Sequence, residues 1–313
     1  MQRKPSHIDL STASGLAAIL LWSTTFAVAR SLAERVGTLT AAASVYLVAG
    51  VLFLVQVWWA KVPLTRCLKL PRRYLLGCGF LFVLCTTSVY LAVGLAKDRE
   101  QVLEIALVNY LWPAGTVVLS VLILNKQAQW LLLPGTALGL AGMFLVMTQG
   151  ARVSWTSFWE HFQSNPAAYL FALMAALSWA FYSNLARRWA GPNQGGAVEL
   201  FMPVTGLVLL VMRLLSPETT SWSGQAVGEA GLLGAITALS YGLWDVAMRR
   251  GNLLLVAACS YFTPLLSTLV SCAYLQVKPG PRLWIGCLLL VAGSLLSWRS
   301  VSDSKPAGPE PEH

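Results

Sequence analysis

Apolar run follows apolar run along this chain, and no other feature constrains its fold as strongly. Ten windows are long enough to cross a lipid bilayer: 12–31, 39–60, 74–96, 102–124, 130–148, 167–186, 198–215, 231–248, 253–275 and 283–298. A crossing helix needs about 20 predominantly apolar residues, because the hydrocarbon core offers no partner to a backbone N–H or C=O outside the helix itself. The runs are continuous and do not alternate, so they predict helices and not the strands of a membrane barrel. With 13 acidic and 22 basic residues in 313, of which 56% are hydrophobic, the chain cannot clothe a soluble core at the usual charge density. The expected fold class is therefore an all-α polytopic membrane protein of ten transmembrane helices, with no separate soluble domain. The polar tail at 302–313, with three prolines and a glycine, is expected to be disordered.

The charge that remains sets orientation. If the N-terminus is cytoplasmic, 14 of the 22 basic residues fall on that side, among them Lys126, Arg187, Arg188, Arg249 and Arg250. The positive-inside rule then puts both termini in the cytoplasm, and the net charge of +9 gives no reason to expect nucleic acid as a partner. Arg3 and Lys4 before an apolar stretch ending in Ala27-Val28-Ala29 outline a secretory signal. The internal repeat described next argues that the first span is retained. The six cysteines lack metal or disulfide spacing and read as small apolar filler.

Sliding the sequence over itself reveals that repeat. Leu21-Trp22-Ser23 and Arg30 match Ser178-Trp179-Ala180 and Arg187 at a shift of 157 residues. At a shift of 151, Tyr110 and Pro113 fall on Tyr261 and Pro264, and Ala141-Gly142 falls on Ala292-Gly293. The predicted repeats are 1–150 and 151–301, each with five helices. An odd number of crossings makes the second enter the membrane in the opposite sense, an architecture characteristic of transporters with a midplane site.

Pro113 and Pro264 lie at the centres of their windows, where each removes a helical hydrogen bond and frees the carbonyl four residues earlier, at Asn109 and Ser260. Hydrocarbon cannot satisfy such carbonyls, so the kinks are expected to face protein or a cavity. Nine of the thirteen tryptophans lie near window ends or in connections, as interfacial anchors do. Trp22, Trp112, Trp179 and Trp244 do not. Glu104, Asn109, Trp112 and Thr116 share an arc of roughly 140° on the fourth span, too polar for lipid, while Tyr110 points elsewhere. A central cavity is expected, walled by Trp22, Tyr90, Asn109, Trp112, Thr116, Trp179, Tyr182, Trp244 and Ser260, and suited to a flat apolar or aromatic solute. Core filling explains any one of these rings equally well.

Glu104 and Asp245 are the intramembrane acids that most need explanation, since a charge in the bilayer is expensive. Glu104 has Lys97 or Arg99 within reach as a partner, and Asp245 has Arg249 one turn on. Either acid could instead hold a substrate ammonium or a proton. Gly135-xxx-Gly139 permits a close helix contact, with a second copy or with the tenth span.

Leu21-Trp22-Ser23-Thr24, the doubled Tyr-x-x-Pro, the Ala-Gly pairs and the run from Glu104 to Pro113 resemble the drug/metabolite transporter superfamily, and within it the ten-helix EamA-type exporters of aromatic amino acids in bacterial inner membranes. The resemblance implies export of aromatic amino acids through a hydrophobic cavity by alternating access. It also implies that Tyr90, Trp112, Trp179 and Trp244 line that cavity and that Pro113 and Pro264 act as kinks. The expectation is a secondary transporter working as a monomer, with no P-loop, no cofactor and no metal. Two rivals stand beside it. One is an exporter of another small metabolite or drug. The other is an intramembrane hydrolase, disfavoured because Glu104 and Asp245 sit near opposite faces and His7, His161 and His313 lie outside the windows.

Overall fold

The computed structural model describes residues 9–61, 69–148, 155–190, 196–274 and 280–302. Helix α1 (Leu10–Val36) opens at Asp9, whose carboxylate accepts the Thr12 N–H at 2.7 Å, satisfying a donor that the helix start leaves without a partner. Gly37 alone separates it from α2 (Thr38–Trp59); its φ of +90° suits glycine, and a side chain there would meet Glu218. The third span begins as a π-helical turn, Arg73–Cys78, and continues as α3 (Gly79–Leu95). The remaining helices are α4 (Arg99–Asn109), α5 (Trp112–Ile123), α6 (Leu132–Met147), α7 (Trp155–Ser164), α8 (Pro166–Ala190), α9 (Val198–Leu215), α10 (Gly224–Arg250), α11 (Leu253–Cys259), α12 (Phe262–Tyr274) and α13 (Pro281–Arg299).

Among the described residues, seven helical spans are long and apolar enough to cross a membrane, α4 and α5 together forming one of them. The number reaches nine when two bent spans are included, α1 and the pair α11–α12, whose axes differ by 41°. The window at 130–148 is realised as α6, a shorter apolar helix of 16 residues. The chain is thus an all-helical polytopic membrane protein. Helix α7 answers to none of the ten windows. Of the tail at 302–313 that was expected to be disordered, Ser302 belongs to a short strand and the remainder lies outside the described residues.

The two central prolines sit where helices restart. Pro113 is in the first turn of α5 and Pro264 in the first turn of α12, each preceded by a two-residue turn, at Tyr110–Leu111 and at Ser260–Tyr261. The Ser260 carbonyl is not left free as expected, because the Thr263 N–H donates to it at 3.1 Å. A tighter i→i+3 bond closes the break.

Helices pack in a regular set of partners. The most extensive pairs are α6 with α13, α1 with α10, α2 with α9, α3 with α8, α2 with α10, and α5 with α8. Glycine makes the first pair close: a Cβ on Gly142 would come within 2.6 Å of the Leu290 nitrogen and 2.7 Å of the Gly286 oxygen. The small residues around Gly135-xxx-Gly139 are therefore used inside the chain, against α13.

Hydrogen bonds between termini define two ends of the bundle. At one end the Asn252 N–H donates to Thr12 Oγ1 at 2.8 Å, Arg187 Nε to the Met248 carbonyl at 2.8 Å and Arg188 Nη1 to the Ile123 carbonyl at 2.9 Å. There too the two-residue strands β1 (Gln127–Ala128) and β2 (Val301–Ser302) pair antiparallel. At the other end Ser31 Oγ donates to Glu229 at 2.8 Å, the Leu39 N–H to Glu218 at 2.8 Å, and Asn165 Nδ2 to the Leu95 carbonyl at 2.7 Å.

Of the nine tryptophans expected as interfacial anchors, Trp58, Trp59, Trp130, Trp159, Trp222 and Trp284 are exposed, whereas Trp189 and Trp298 pack on the core, and the Trp155 side chain lies outside the described residues.

Candidate functional site

Rings from five helices meet in the middle of the bundle. Trp179 of α8 is the hub, with ring centroids 6.1 Å from Trp22 of α1, 6.4 Å from Trp112 of α5, 5.9 Å from Trp244 of α10, 5.5 Å from Tyr241 of α10 and 6.0 Å from Phe82 of α3. Tyr182 stacks on it at 5.0 Å. Trp244 closes the group, 5.1 Å from Trp22 and 5.4 Å from Trp112. Most of these pairs are edge-to-face or tilted, arrangements the ring quadrupole favours. Of the expected wall residues, Trp22, Trp112, Trp179, Tyr182 and Trp244 thus come together, as rings set against one another. Trp112, Trp179, Tyr182 and Trp244 are buried; Trp22 is half-buried.

Tyr90 joins at the edge, 6.4 Å from Tyr46, whose hydroxyl hydrogen-bonds that of Tyr241 at 2.9 Å. Phe82, Tyr241, Tyr46 and Phe201 are members that the sequence reading missed. Tyr241 was within reach of it, three residues before Trp244 and hence on the same helical face.

The polar arc of the fourth span runs along α8. Tyr169, Trp179 and Asn184 of α8 meet, in order, Glu104, Trp112 and the Thr116 carbonyl, which accepts Asn184 Nδ2 at 3.0 Å. Thr116 Oγ1 turns back to the Trp112 carbonyl at 2.8 Å, and Ser260 Oγ to the Ala257 carbonyl at 2.6 Å, so both hydroxyls serve their own helices. Asn109 ends α4 half-buried, just before the break. Tyr110 and Tyr261 turn away into a second apolar cluster with α6 and α13.

The two acids lie in separate clusters. Glu104, fully buried, accepts from the Tyr169 hydroxyl and lies 3.0 Å from His161 Nδ1, with Ser157 Oγ at 3.5 Å. Lys97, one partner expected for it, instead donates to the Ser164 carbonyl at 3.2 Å. His161 was read as lying outside the helices; it belongs to α7, an amphipathic helix too short and too polar to register as a span.

Asp245 pairs with Arg249 as the spacing predicts, its Oδ2 receiving Nη2 at 2.6 Å and Nε at 2.9 Å. Its other oxygen faces the hydroxyls of Tyr74 at 3.3 Å and Tyr182 at 3.4 Å. The Ala197 N–H donates to Tyr74 Oη at 3.2 Å, which brings the backbone ahead of α9 over the pair. Both charges are almost inaccessible, and breaking such a buried pair is costly.

Comparison with known proteins bears on what such an arrangement does. The model of the EamA-like transporter family matches residues 11–148 and again 166–299. The chain is 30% identical over 289 residues to the aromatic amino acid exporter YddG of Escherichia coli (strain K12), covering 92% of this chain and 96% of that protein. It is 27% identical over 287 residues to the protein of the same name from Ancylobacter novellus, covering 92% of this chain and 96% of the relative. A solved crystal structure superposes with a TM-score of 0.77 at 26% identity, covering 93% of this chain and 98% of the other.

Proposed function

The chain belongs to the EamA-like transporter family, and from that premise we propose that it exports aromatic or other hydrophobic amino acids across a bacterial inner membrane by alternating access. The observation that carries this reading is the ring cluster itself: Trp22, Trp112, Trp179, Tyr182 and Trp244, drawn from both halves of the chain, converge on one point. The identity to exporters named for aromatic amino acids supports the same substrate class. Planar side chains offer large contact area at small entropic cost, so a bound aromatic ring would replace ring–ring contacts with contacts of the same kind. In this reading the close-packed rings are the occluded form, and the solute parts them. Tyr90, Asn109, Thr116 and Ser260 border its path, Pro113 and Pro264 are the hinges, and Glu104 and Asp245 are the acids available to a substrate ammonium or a proton.

Ten crossings in two inverted five-helix repeats, at 1–150 and 151–301, complete the reading. Its support is the pattern of termini. The starts of α1 and α11 and the ends of α5, α8 and α10 share one end of the bundle. The end of α1, the starts of α2 and α10, the end of α3 and the start of α8 share the other. The first and sixth spans, and the third and eighth, then run oppositely. Partner choice obeys the same relation, since α1 with α10 and α8 with α3 exchange when each span is replaced by its counterpart. Lys126, Arg187, Arg188, Arg249 and Arg250 gather at the first end, which we assign to the cytoplasm together with both termini.

Uptake of labelled tryptophan by proteoliposomes holding the purified protein tests the function. Tryptophan should move faster than lysine or a nucleotide-sugar. Trp112→Phe and Trp179→Phe should each slow it severalfold. Tryptophan flux no greater than in protein-free liposomes would defeat the reading.

A further inference from the structure

Two charges at the end of α10 are better equipped than a structural staple requires. Asp245 and Arg249 are buried at 3% and 5% exposure, and two tyrosines tie the pair to the ring cluster: Tyr182 points its hydroxyl at Asp245 Oδ1 while its ring stacks on Trp179, and Tyr74 points its hydroxyl at the same oxygen while its ring lies 5.8 Å from that of Phe201. The two phenol bonds to Oδ1, at 3.3 and 3.4 Å, are long for O–H···O contacts, so this oxygen is the less well satisfied of the two. Trp244, the residue beside Asp245, is fully buried in the ring cluster and its indole N–H has no hydrogen-bond partner. An orphan donor of that kind is costly to keep.

We propose that Asp245 and Arg249, with Tyr182 and the Trp244 indole N–H, form a docking site for the α-ammonium and α-carboxylate of a zwitterionic amino acid, with the ring cluster beside it taking the side chain. The proposal rests on the reading of the chain as an amino acid exporter and names the groups that recognise the substrate. Neither charge can be left uncompensated in so dry a place. A cation alone would take the carboxylate from Arg249, and an anion alone would take the guanidinium from Asp245. A zwitterion carries an ammonium for the carboxylate and a carboxylate for the guanidinium on the same carbon, so it can open the pair while keeping both charges matched. The guanidinium fork suits a carboxylate, and the indole N–H gains the acceptor it lacks. The backbone at Gly196–Ala197 lies over the pair, bonded to Tyr74 and too close to Asp245 to admit a Cβ on Gly196, so release on that side requires this segment to move.

Competition against labelled tryptophan flux in proteoliposomes tests the site, with tryptamine, indole-3-propionate and tryptophol as competitors that keep the ring and carry, in turn, only the ammonium, only the carboxylate, or neither. For the wild-type protein, unlabelled tryptophan should compete at least about tenfold better than each of the three. In Asp245→Asn/Arg249→Gln, which removes both charges at nearly constant volume, the advantage over tryptophol should fall to about twofold or less. If that variant does not fold, Arg249→Lys keeps the charge balance but not the fork, and its discrimination between tryptophan and tryptamine should shrink severalfold. Equal competition by all four compounds in the wild type, or unchanged ratios in the variants, would overturn the proposal. Tryptophan transport without preference for the zwitterion defeats this inference alone, whereas no tryptophan transport defeats the exporter reading and this inference with it.

Discussion

Glu104 shows how a single side chain can be conspicuous in a sequence while its partner is not. An acid inside an apolar run demands compensation, and the structure supplies His161, Tyr169 and Ser157. Nothing in the sequence pointed to His161, because it sits on a ten-residue helix of mixed character between spans. His161→Ala should lower stability in detergent by about 1–3 kcal/mol, less than for a fully buried partner because the imidazole is partly exposed. Adding Glu104→Gln should restore part of the loss by removing the stranded charge, which thermal unfolding of both variants would check. The tryptophans carry a different lesson. Trp179 touches six other rings, so Trp179→Ala would open a cavity costing about 3–5 kcal/mol and confuse transport with folding. Substitution by Phe keeps a ring in place.

At the scale of elements, each apolar window holds a helix, because hydrocarbon length sets the length of a crossing helix, but α1 runs on to Val36 and α10 begins at Gly224, well beyond the windows at 12–31 and 231–248. Breaks within them were legible only in part. Pro113 and Pro264 mark restarts, yet α9 passes through Pro203 without interruption. Proline alone did not distinguish these cases, and its position relative to a Tyr three residues earlier did. Pro113→Ala and Pro264→Ala should each make the broken span more continuous, raise thermal stability and slow tryptophan flux. A flux unchanged in both would separate the breaks from transport. Close packing of α6 on α13 gives a sharper test: Gly142→Leu must displace the Leu290 backbone and should destabilise the protein by about 1–3 kcal/mol or more, read as a lower unfolding temperature.

For the whole molecule, the sequence carries a doubled pattern, but the packing of the centre was not legible in it. A shift of 157 residues aligning Trp22 with Trp179 is a property of the sequence. Whether such rings enclose a space or fill it depends on how the helices that carry them pack together, which no local pattern encodes. Phe82 and Tyr46 join the cluster through Tyr241, contacts between helices that no spacing along the chain encodes. The decisive measurement concerns threading. With the six native cysteines replaced, single cysteines at Lys97 and at Arg250 probe the connections after the third and eighth spans, which correspond in the two repeats. A membrane-impermeant maleimide should reach Arg250→Cys only from the cytoplasmic face and Lys97→Cys only from the opposite face. Labelling of both from the same face would contradict the inverted arrangement on which the shared ring cluster and alternating access depend.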